Sequence, residues 1–208
     1  YDNLVAYYTM DEVNGSNYIS DGTANNMRGK IENFDVFSCW KDGKINKSLE
    51  FNGVNNYVNV GSQSTLYNLG MDSGSGVSGY TLSSWIKISE NINTTSNADI
   101  IFSGSDVNAE GAYSLMVERF SSNSKALLRT SLTTDTQINY SNATTELNDN
   151  NWHLVNAVYN ISNSTLQTYI DGTLKSNAAV VGNITSISSS DILIGSRDKS
   201  NYFFEGEM

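Results

Sequence analysis

The stretch GYTLSSWIKI, residues 79–88, alternates its side chains with the period of a β-strand. One face carries Tyr80, Leu82, Ser84, Ile86 and Ile88, and the other carries Thr81, Ser83, Trp85 and Lys87. A strand with one apolar face packs that face on a core and turns the other toward solvent. The stretch therefore predicts a strand of an antiparallel sandwich.

Further segments rich in β-forming residues follow one another along the whole chain, and several end in a turn. Asp171-Gly172 lies between β-forming residues and predicts a type I′ hairpin. Residues 53–56, GVNN, predict a second hairpin turn. No segment has a sustained 3.6-residue period, so we expect almost no helix. The segments are 4–12, 48–53, 57–61, 79–88, 150–159, 166–177, 191–196 and 203–208.

Composition limits the classes of partner. The 208 residues carry a net charge of −10, and 38% of them are hydrophobic. This length suits one domain with a sizeable core. The acidic balance argues against nucleic acid and anionic membranes, because phosphates attract clustered Lys and Arg. No apolar run reaches the roughly 18 residues of a membrane span, so we expect no direct membrane insertion. Cys39 is the only cysteine, which excludes an intrachain disulfide.

The order of the segments resembles the laminin G-like, concanavalin A-like lectin/glucanase family over nearly the whole chain. The resemblance implies an all-β fold, a two-sheet antiparallel β-sandwich jelly roll of about twelve to fourteen strands. We expect residues 1–208 to form one such domain, excised from a larger extracellular protein. The family pattern continues past the GEM-like element at 206–208 into a closing strand. That strand is therefore missing or supplied from elsewhere, which would leave residues 4–10 as an open edge.

The same resemblance gives function only as a class, because this scaffold serves lectins, adhesion modules and hydrolases alike. We predict a non-enzymatic extracellular recognition or adhesion module that binds carbohydrate or a cell-surface protein, with Ca²⁺ as the candidate cofactor. The alternative is a structural subunit of a cell-surface filament, pilus or S-layer-like assembly, which would self-associate. A glycoside hydrolase is disfavoured because the family's paired-carboxylate motif is absent. Glu205 and Glu207 are interpreted as a solvated strand end.

The loop at residues 105–111 is the first candidate for a cation. Asp106, Asn108 and Glu110 stand at alternate positions and offer the oxygen ligands that Ca²⁺ prefers. Relatives in the family carry calcium ligands in the corresponding loop, so the resemblance implies a metal and ligand rim here. Tyr113 joins these three residues as a predicted ligand-binding residue. The alternative interpretation is a solvated hairpin tip without a ligand.

A second candidate follows the first predicted strand. Asp11, Asp21 and Asn26 resemble the loop in which the family holds a structural ion. The pattern is degraded here, with Thr23-Ala24 where Gly-Asn is common. An Asx-type turn without an ion is the alternative.

Aromatic residues supply the remaining candidates, because their rings can stack on sugars. The available tyrosines are Tyr113, Tyr140, Tyr159, Tyr169 and Tyr202. We assign Trp85 to the core, and we interpret His153 as part of a structural strand and not as a catalytic residue. The predicted inward residues are Leu49, Phe51, Leu82, Ile86, Leu115, Val117, Trp152, Leu154, Val158, Ile170 and Ile194.

Eight Asn-X-Ser/Thr sequons occur, close to the number that chance would give in so Asn-rich a chain. They are candidates for glycosylation in an extracellular protein. The asparagines are Asn14, Asn46, Asn93, Asn139, Asn142, Asn160, Asn163 and Asn183.

Overall fold

The computed structural model describes residues 3–61, 79–90, 97–104, 107–120, 125–184 and 190–208. Within these ranges the chain forms 15 β-strands and no helix. Accordingly, no helix of the length and hydropathy needed to cross a membrane occurs in the same ranges. The strands are β1 (Tyr18–Ile19), β2 (Gly29–Glu32), β3 (Trp40–Asp42), β4 (Lys47–Asn52), β5 (Tyr57–Gly61), β6 (Gly79–Lys87), β7 (Ala98–Ser103), β8 (Tyr113–Phe120), β9 (Lys125–Thr133), β10 (Ile138–Glu146), β11 (Trp152–Asn160), β12 (Thr165–Ile170), β13 (Thr173–Ala179), β14 (Ile192–Ile194) and β15 (Glu205–Glu207).

The strands form two antiparallel sheets that pack face to face. The described part of the first is eight-stranded, in the order β1-β2-β5-β14-β7-β8-β9-β10. The described part of the second is seven-stranded, in the order β13-β12-β11-β6-β15-β4-β3. Side chains from both inner faces build the core, among them Phe51 and Ile86 from one sheet and Leu115 and Leu128 from the other. The all-β sandwich predicted from the sequence is confirmed.

Two of the predicted turns have different outcomes. Asp171 and Gly172 both adopt positive φ, +50° and +73°, as a type I′ turn requires, and they join β12 to β13. The predicted hairpin at residues 53–56 is wrong, because β4 and β5 belong to different sheets. Asn52 Oδ1 accepts hydrogen bonds from the backbone N–H groups of residues 54, 55 and 56. This Asx-type turn carries the chain across the sandwich.

In strand β11, the residues that point into the core are not the ones that were predicted to do so. Val155, Ala157 and Tyr159 are buried in the core, whereas Trp152, Leu154 and Val158 are only partly buried. Successive side chains of a strand point to opposite faces, so the second set lies on the outer face. The prediction that Trp152, Leu154 and Val158 point inward is therefore wrong.

The two ends of the chain also depart from expectation. Residues 4–10 do not form a sheet strand; they make one isolated bridge, between Tyr8 and Asp21. Strand β15 is not a solvated end, because it lies between β4 and β6. Within the described residues β15 pairs with β6 only through Glu207 and Lys87, while β6 pairs with β11 along all nine of its residues. A closing strand supplied from elsewhere stays a prediction.

Candidate functional site

Aromatic side chains gather on the outer face of the seven-stranded sheet. Trp85 lies opposite Leu154, Trp152 lies opposite Lys87, and Tyr169 lies opposite Asn156. These residues alternate with core residues along their strands, so all of them point away from the core. Trp85, Trp152 and Tyr169 are each partly exposed. We call these three residues the aromatic face.

The register sets the spacing of the aromatic face. Trp85 is directly opposite Leu154. Trp152 lies two residues before Leu154 on the same strand and diagonal to Trp85, and Tyr169 is diagonal to Leu154 on β12. Diagonal neighbours in an antiparallel pair have Cα atoms about 7–8 Å apart. The three aromatic residues are therefore grouped around one leucine on the same sheet face, and we call this surface the platform.

Polar groups border this platform. Asn156 Nδ2 donates to Ser83 Oγ at 2.7 Å. These two residues lie opposite each other, two positions along their strands from the pair Leu154 and Trp85. At the Trp152 end, Lys87 Nζ lies 3.0 Å from Glu207 Oε1, with both side chains largely buried. Lys44 Nζ lies 5.2 Å from the centroid of the Trp85 ring. An apolar surface edged by amides, hydroxyls and charges can hold a sugar ring by stacking and by hydrogen bonds.

Trp85 and Trp152 were assigned to the core, and the structure shows that this assignment is wrong. The alternation in residues 79–88 already placed Trp85 opposite the inward residues Leu82 and Ile86, so the signal was present. For Trp152 there is no equivalent signal, because β11 carries apolar residues on both faces. Tyr169 was one of five candidate tyrosines and is the one that joins the platform.

The other four tyrosines lie elsewhere. Tyr113 is only 2% exposed and packs against Tyr80 in the core, with ring centroids 5.2 Å apart. Its prediction as a ligand-binding residue is therefore wrong. Tyr159 is also buried, and Tyr202 lies under the guanidinium group of Arg197. Tyr140 is exposed, but it belongs to the eight-stranded sheet.

The loop at residues 105–111 is only partly described. Asp106 lies outside the described residues, while Asn108 is exposed and Glu110 is partly exposed. In the described ranges no cluster of three or more His, Cys, Asp or Glu side chains is arranged to hold a metal ion. The calcium site at Asp106, Asn108 and Glu110 remains a prediction.

At the second candidate cation loop, the structure holds the two carboxylates with different partners. Asp11 Oδ1 accepts a hydrogen bond from the Lys47 backbone N–H at 2.9 Å. Asn26 is exposed. The Asp21 carboxylate accepts hydrogen bonds from Tyr7 N, Thr23 N, Thr23 Oγ1 and Met27 N. A cation at Asp21 would have to displace some of these donors, which favours the Asx-type turn. The ion site at Asp11, Asp21 and Asn26 stays a prediction.

Of the eight sequon asparagines, Asn139 is unsuited to glycosylation. It is 3% exposed, its Nδ2 donates to Val181 O at 3.2 Å, and its Oδ1 accepts from Val181 N at 2.8 Å. A glycan on Nδ2 would break this buried contact, so the prediction for Asn139 is wrong. Asn93 lies outside the described residues. The six others are exposed or partly exposed and remain predictions: Asn14, Asn46, Asn142, Asn160, Asn163 and Asn183.

His153 forms a cluster with two carboxylates at the end of β11. Its Nδ1 lies 2.8 Å from Asp171 Oδ2, and its Nε2 lies 3.1 Å from Asp149 Oδ1. Asp171 Oδ1 also accepts a hydrogen bond from the Leu154 backbone N–H at 2.9 Å. Only the doubly protonated imidazolium can donate to both carboxylates at once. The cluster therefore ties the β12–β13 turn to the start of β11 most firmly when His153 is charged.

We expect this cluster to make stability depend on pH. Burial opposes a charge on His153, but hydrogen bonds and charges from Asp171 and Asp149 outweigh it and raise the pKa above the usual 6.5. The stabilisation is then fully present below the unfolded pKa and lost as the pH rises through the raised folded pKa. The loss should be about 0.5–1 kcal/mol, as for other exposed ion pairs.

Urea denaturation at a series of pH values above and below the pKa of His153 measures this effect. The His153→Gln variant should lack the loss because its amide does not titrate. The same pH dependence in both proteins would show that His153 is not responsible.

The family of the chain follows from comparison with known proteins. A laminin G family model, described as the concanavalin A-like lectin/glucanases superfamily, matches residues 52–208. The chain belongs to this family. No curated protein sequence matches it significantly.

Solved structures with the same fold include binding domains. Domain 4 of the extracellular arabinanase AbnA from Geobacillus stearothermophilus, solved with arabinotriose, is 18% identical with a TM-score of 0.61. The match covers 98% of this chain and 88% of that one. The binding domain of botulinum neurotoxin DC, solved with SialylT, is 18% identical with a TM-score of 0.61, over 92% of this chain and 44% of that one. The CBM40 domain of the Ruminococcus gnavus IT-sialidase is 11% identical with a TM-score of 0.56, over 77% and 85%. At these identities the likeness establishes the fold alone.

Proposed function

We propose that this domain is a non-catalytic, extracellular carbohydrate-binding module, and that its glycan lies across the aromatic face. One observation carries the proposal: Trp85, Trp152 and Tyr169 stay partly exposed together on one rigid sheet face. Solvated sheet faces are ordinarily polar, so a grouped aromatic surface indicates an interaction site. The rings would stack on the apolar faces of sugars, and the bordering amides and hydroxyls would bind sugar hydroxyls.

Two further findings support a binding role without catalysis. The structures of similar fold named above were solved with arabinotriose, SialylT and, for the CBM40 domain, α2,3-sialyllactose. In this chain, Glu207 is held by Lys87 at 3.0 Å and by Ser48 Oγ at 3.2 Å. A carboxylate that is neutralised in this way is poorly suited to act as a nucleophile or a general acid.

The proposal predicts a large loss of glycan binding when the platform is truncated. Trp85→Ala and Trp152→Ala should each weaken binding by more than about tenfold, because central aromatic contacts dominate binding energy. A glycan array with the purified domain identifies the ligand, and titration calorimetry measures the affinities. Tyr140→Ala is the matched control, since Tyr140 is 39% exposed on the other sheet. Equal affinities in all four proteins would contradict the aromatic face as the site.

Calcium enters the proposal through the loop at residues 105–111, and the array should be run in Ca²⁺ and in excess chelator. Binding that requires Ca²⁺ and is abolished by Asp106→Ala would place a calcium-dependent ligand at that loop. Binding that persists in chelator, but not in Trp85→Ala, would assign recognition to the aromatic face without a metal.

A role in a cell-surface assembly is the second candidate, and one observation favours it. Val13, Phe37 and Ile45 are 78%, 72% and 68% exposed. They lie on three neighbouring loops, joined by hydrogen bonds from Gly15 N to Val36 O and from Lys47 N to Asp11 Oδ1. Grouped exposed apolar residues mark protein interfaces.

Self-association through these loops is tested by sedimentation velocity over a range of concentrations. Phe37→Ser should abolish any concentration-dependent association, whereas Val54→Ser, a change at an equally exposed valine elsewhere, should not. A wild-type domain that stays monomeric at every concentration would count against this candidate.

A further inference from the structure

A lysine lies over one ring of the aromatic face, and its placement bears on the ligand. Lys44 stands in the tight turn between β3 and β4, which is closed by a hydrogen bond from Gly43 N to Asn46 O at 2.9 Å. Its ammonium group lies 5.2 Å from the centre of the Trp85 ring. This is a cation–π contact, and at an exposed site it is weak enough for a ligand to replace.

Lys44 differs from the other lysines around the platform. Three neighbouring lysines are neutralised by carboxylates: Lys41 by Glu50 at 3.1 Å, Lys47 by Asp42 at 2.8 Å and Lys87 by Glu207 at 3.0 Å. Among the ion pairs of the described residues, none includes Lys44. Among the described residues, Lys44 is therefore a positive charge that lies over Trp85 without a carboxylate partner.

Resting on the carbohydrate-binding function proposed above, we infer that the preferred ligand is a glycan with an acidic sugar, whose anionic group pairs with Lys44 while its ring stacks on Trp85. A neutral sugar must displace the ammonium group from the ring and offers it no counter-charge. An acidic sugar gives the displaced ammonium group a carboxylate or sulfate instead. The same side chain thus hinders neutral ligands and favours anionic ones.

The net charge of the chain limits how acidic the ligand can be. At −10, the domain repels a long polyanion over most of its surface. Lys44 offers one local attraction, within a screening length of about 10 Å at ordinary salt. The ligand class is therefore a glycan that carries one acidic sugar, and not a heparin-like polymer.

The test uses pairs of glycans that differ only in one charge. An array presents monosialylated, monouronylated and monosulfated oligosaccharides, each beside its neutral parent, together with heparin. The strongest pair is then titrated by calorimetry into the wild type, Lys44→Gln, Lys44→Arg and the control Lys30→Gln. Lys30 is an exposed lysine on β2 of the eight-stranded sheet, so the control makes the same change in net charge away from the platform.

Lys44→Gln should lower the affinity for the acidic glycan about fivefold, as loss of one exposed ion pair does. The affinity for the neutral parent should stay the same or increase. Lys44→Arg and Lys30→Gln should both bind like the wild type. The array arms identify whether a carboxylate or a sulfate is preferred.

The inference fails if neutral parents bind as tightly as acidic glycans and Lys44→Gln changes neither. It also fails if heparin binds best, because that would indicate a polyanion site elsewhere. In both cases loss of binding in Trp85→Ala would still uphold the carbohydrate-binding function. Absence of binding to every glycan overturns the proposed function and the inference together.

Discussion

Replacing Arg197 with leucine should destabilise the domain by about 3–5 kcal/mol near neutral pH, which is the usual cost of breaking a buried ion pair. The Asp99 side chain is fully buried, and Arg197 Nε donates to its Oδ2 at 2.8 Å. The guanidinium group also stacks 3.9 Å from the centroid of Tyr202. Without Arg197, Asp99 must either keep its charge in the interior with no cation beside it or take up a proton, and both cost stability. Urea denaturation at equilibrium measures the change in unfolding free energy.

The cost of this substitution should depend on pH. Burial raises the pKa of Asp99 to about 6, and Arg197 partly offsets the rise. Because the folded pKa lies above the unfolded value of about 3.9, protonation favours the folded state. That contribution is fully present below the unfolded pKa and is lost as the pH rises through about 6. Loss of Arg197 raises the pKa of Asp99 further. The variant should therefore lose most stability above pH 6 and least in mild acid.

A double variant separates charge from packing. Asp99→Leu combined with Arg197→Leu removes both charges and should recover much of the lost stability, as well-packed apolar replacements of buried ion pairs do. If the double variant is as unstable as Arg197→Leu alone at every pH, lost packing against Tyr202 explains the effect and the ion pair does not.

Gly195→Ala should lower the free energy of unfolding by about 2–5 kcal/mol. This is the sum of the cost of a left-handed backbone at alanine and the cost of overpacking the core. Gly195 has a φ of +82°, and a Cβ there would collide with the ring of Phe51. That ring cannot move aside easily, because it packs edge-on against Phe34 and Phe204 at centroid distances of 5.1 and 5.9 Å. Thermal and urea denaturation measure the loss.

Gly172→Ala is the matched control for the backbone term. Gly172 has a similar φ of +73°, but a Cβ there would meet no atom within 4 Å. It should therefore cost only about 1 kcal/mol. Similar losses at the two glycines would show that the contact with Phe51 contributes little.

The sequence predicted the sandwich because most strands have one apolar face, and it failed where that rule breaks down. In Trp152–Asn160 both faces contain large apolar residues, so alternation cannot choose between Leu154 and Val155 as the core position. Hydrogen-bonded register with β6, a property of two distant segments, settles the choice. Trp152 was missed for this reason, whereas the alternation of residues 79–88 already indicated the outward position of Trp85.

The turns show the same limit of prediction from local sequence. Asp171-Gly172 was predicted correctly because a type I′ turn is specified by two residues with positive φ. At residues 53–56 the sequence also favours a tight turn, but tightness does not say whether the next strand pairs with the previous one. Asn52 and its three backbone contacts direct the chain into the other sheet instead.

The position of β15 has a consequence for how the protein is made. Its three residues, 205–207, lie in the middle of a sheet beside β4 and β6, which leave the ribosome more than a hundred residues earlier. Until they emerge, the two halves of the seven-stranded sheet have no strand to join them. Contacts of such long sequence separation form slowly, so we expect the seven-stranded sheet to be completed only after β15 has left the ribosome. Until then the nascent chain exposes unpaired strand edges, which is when chaperones would bind it.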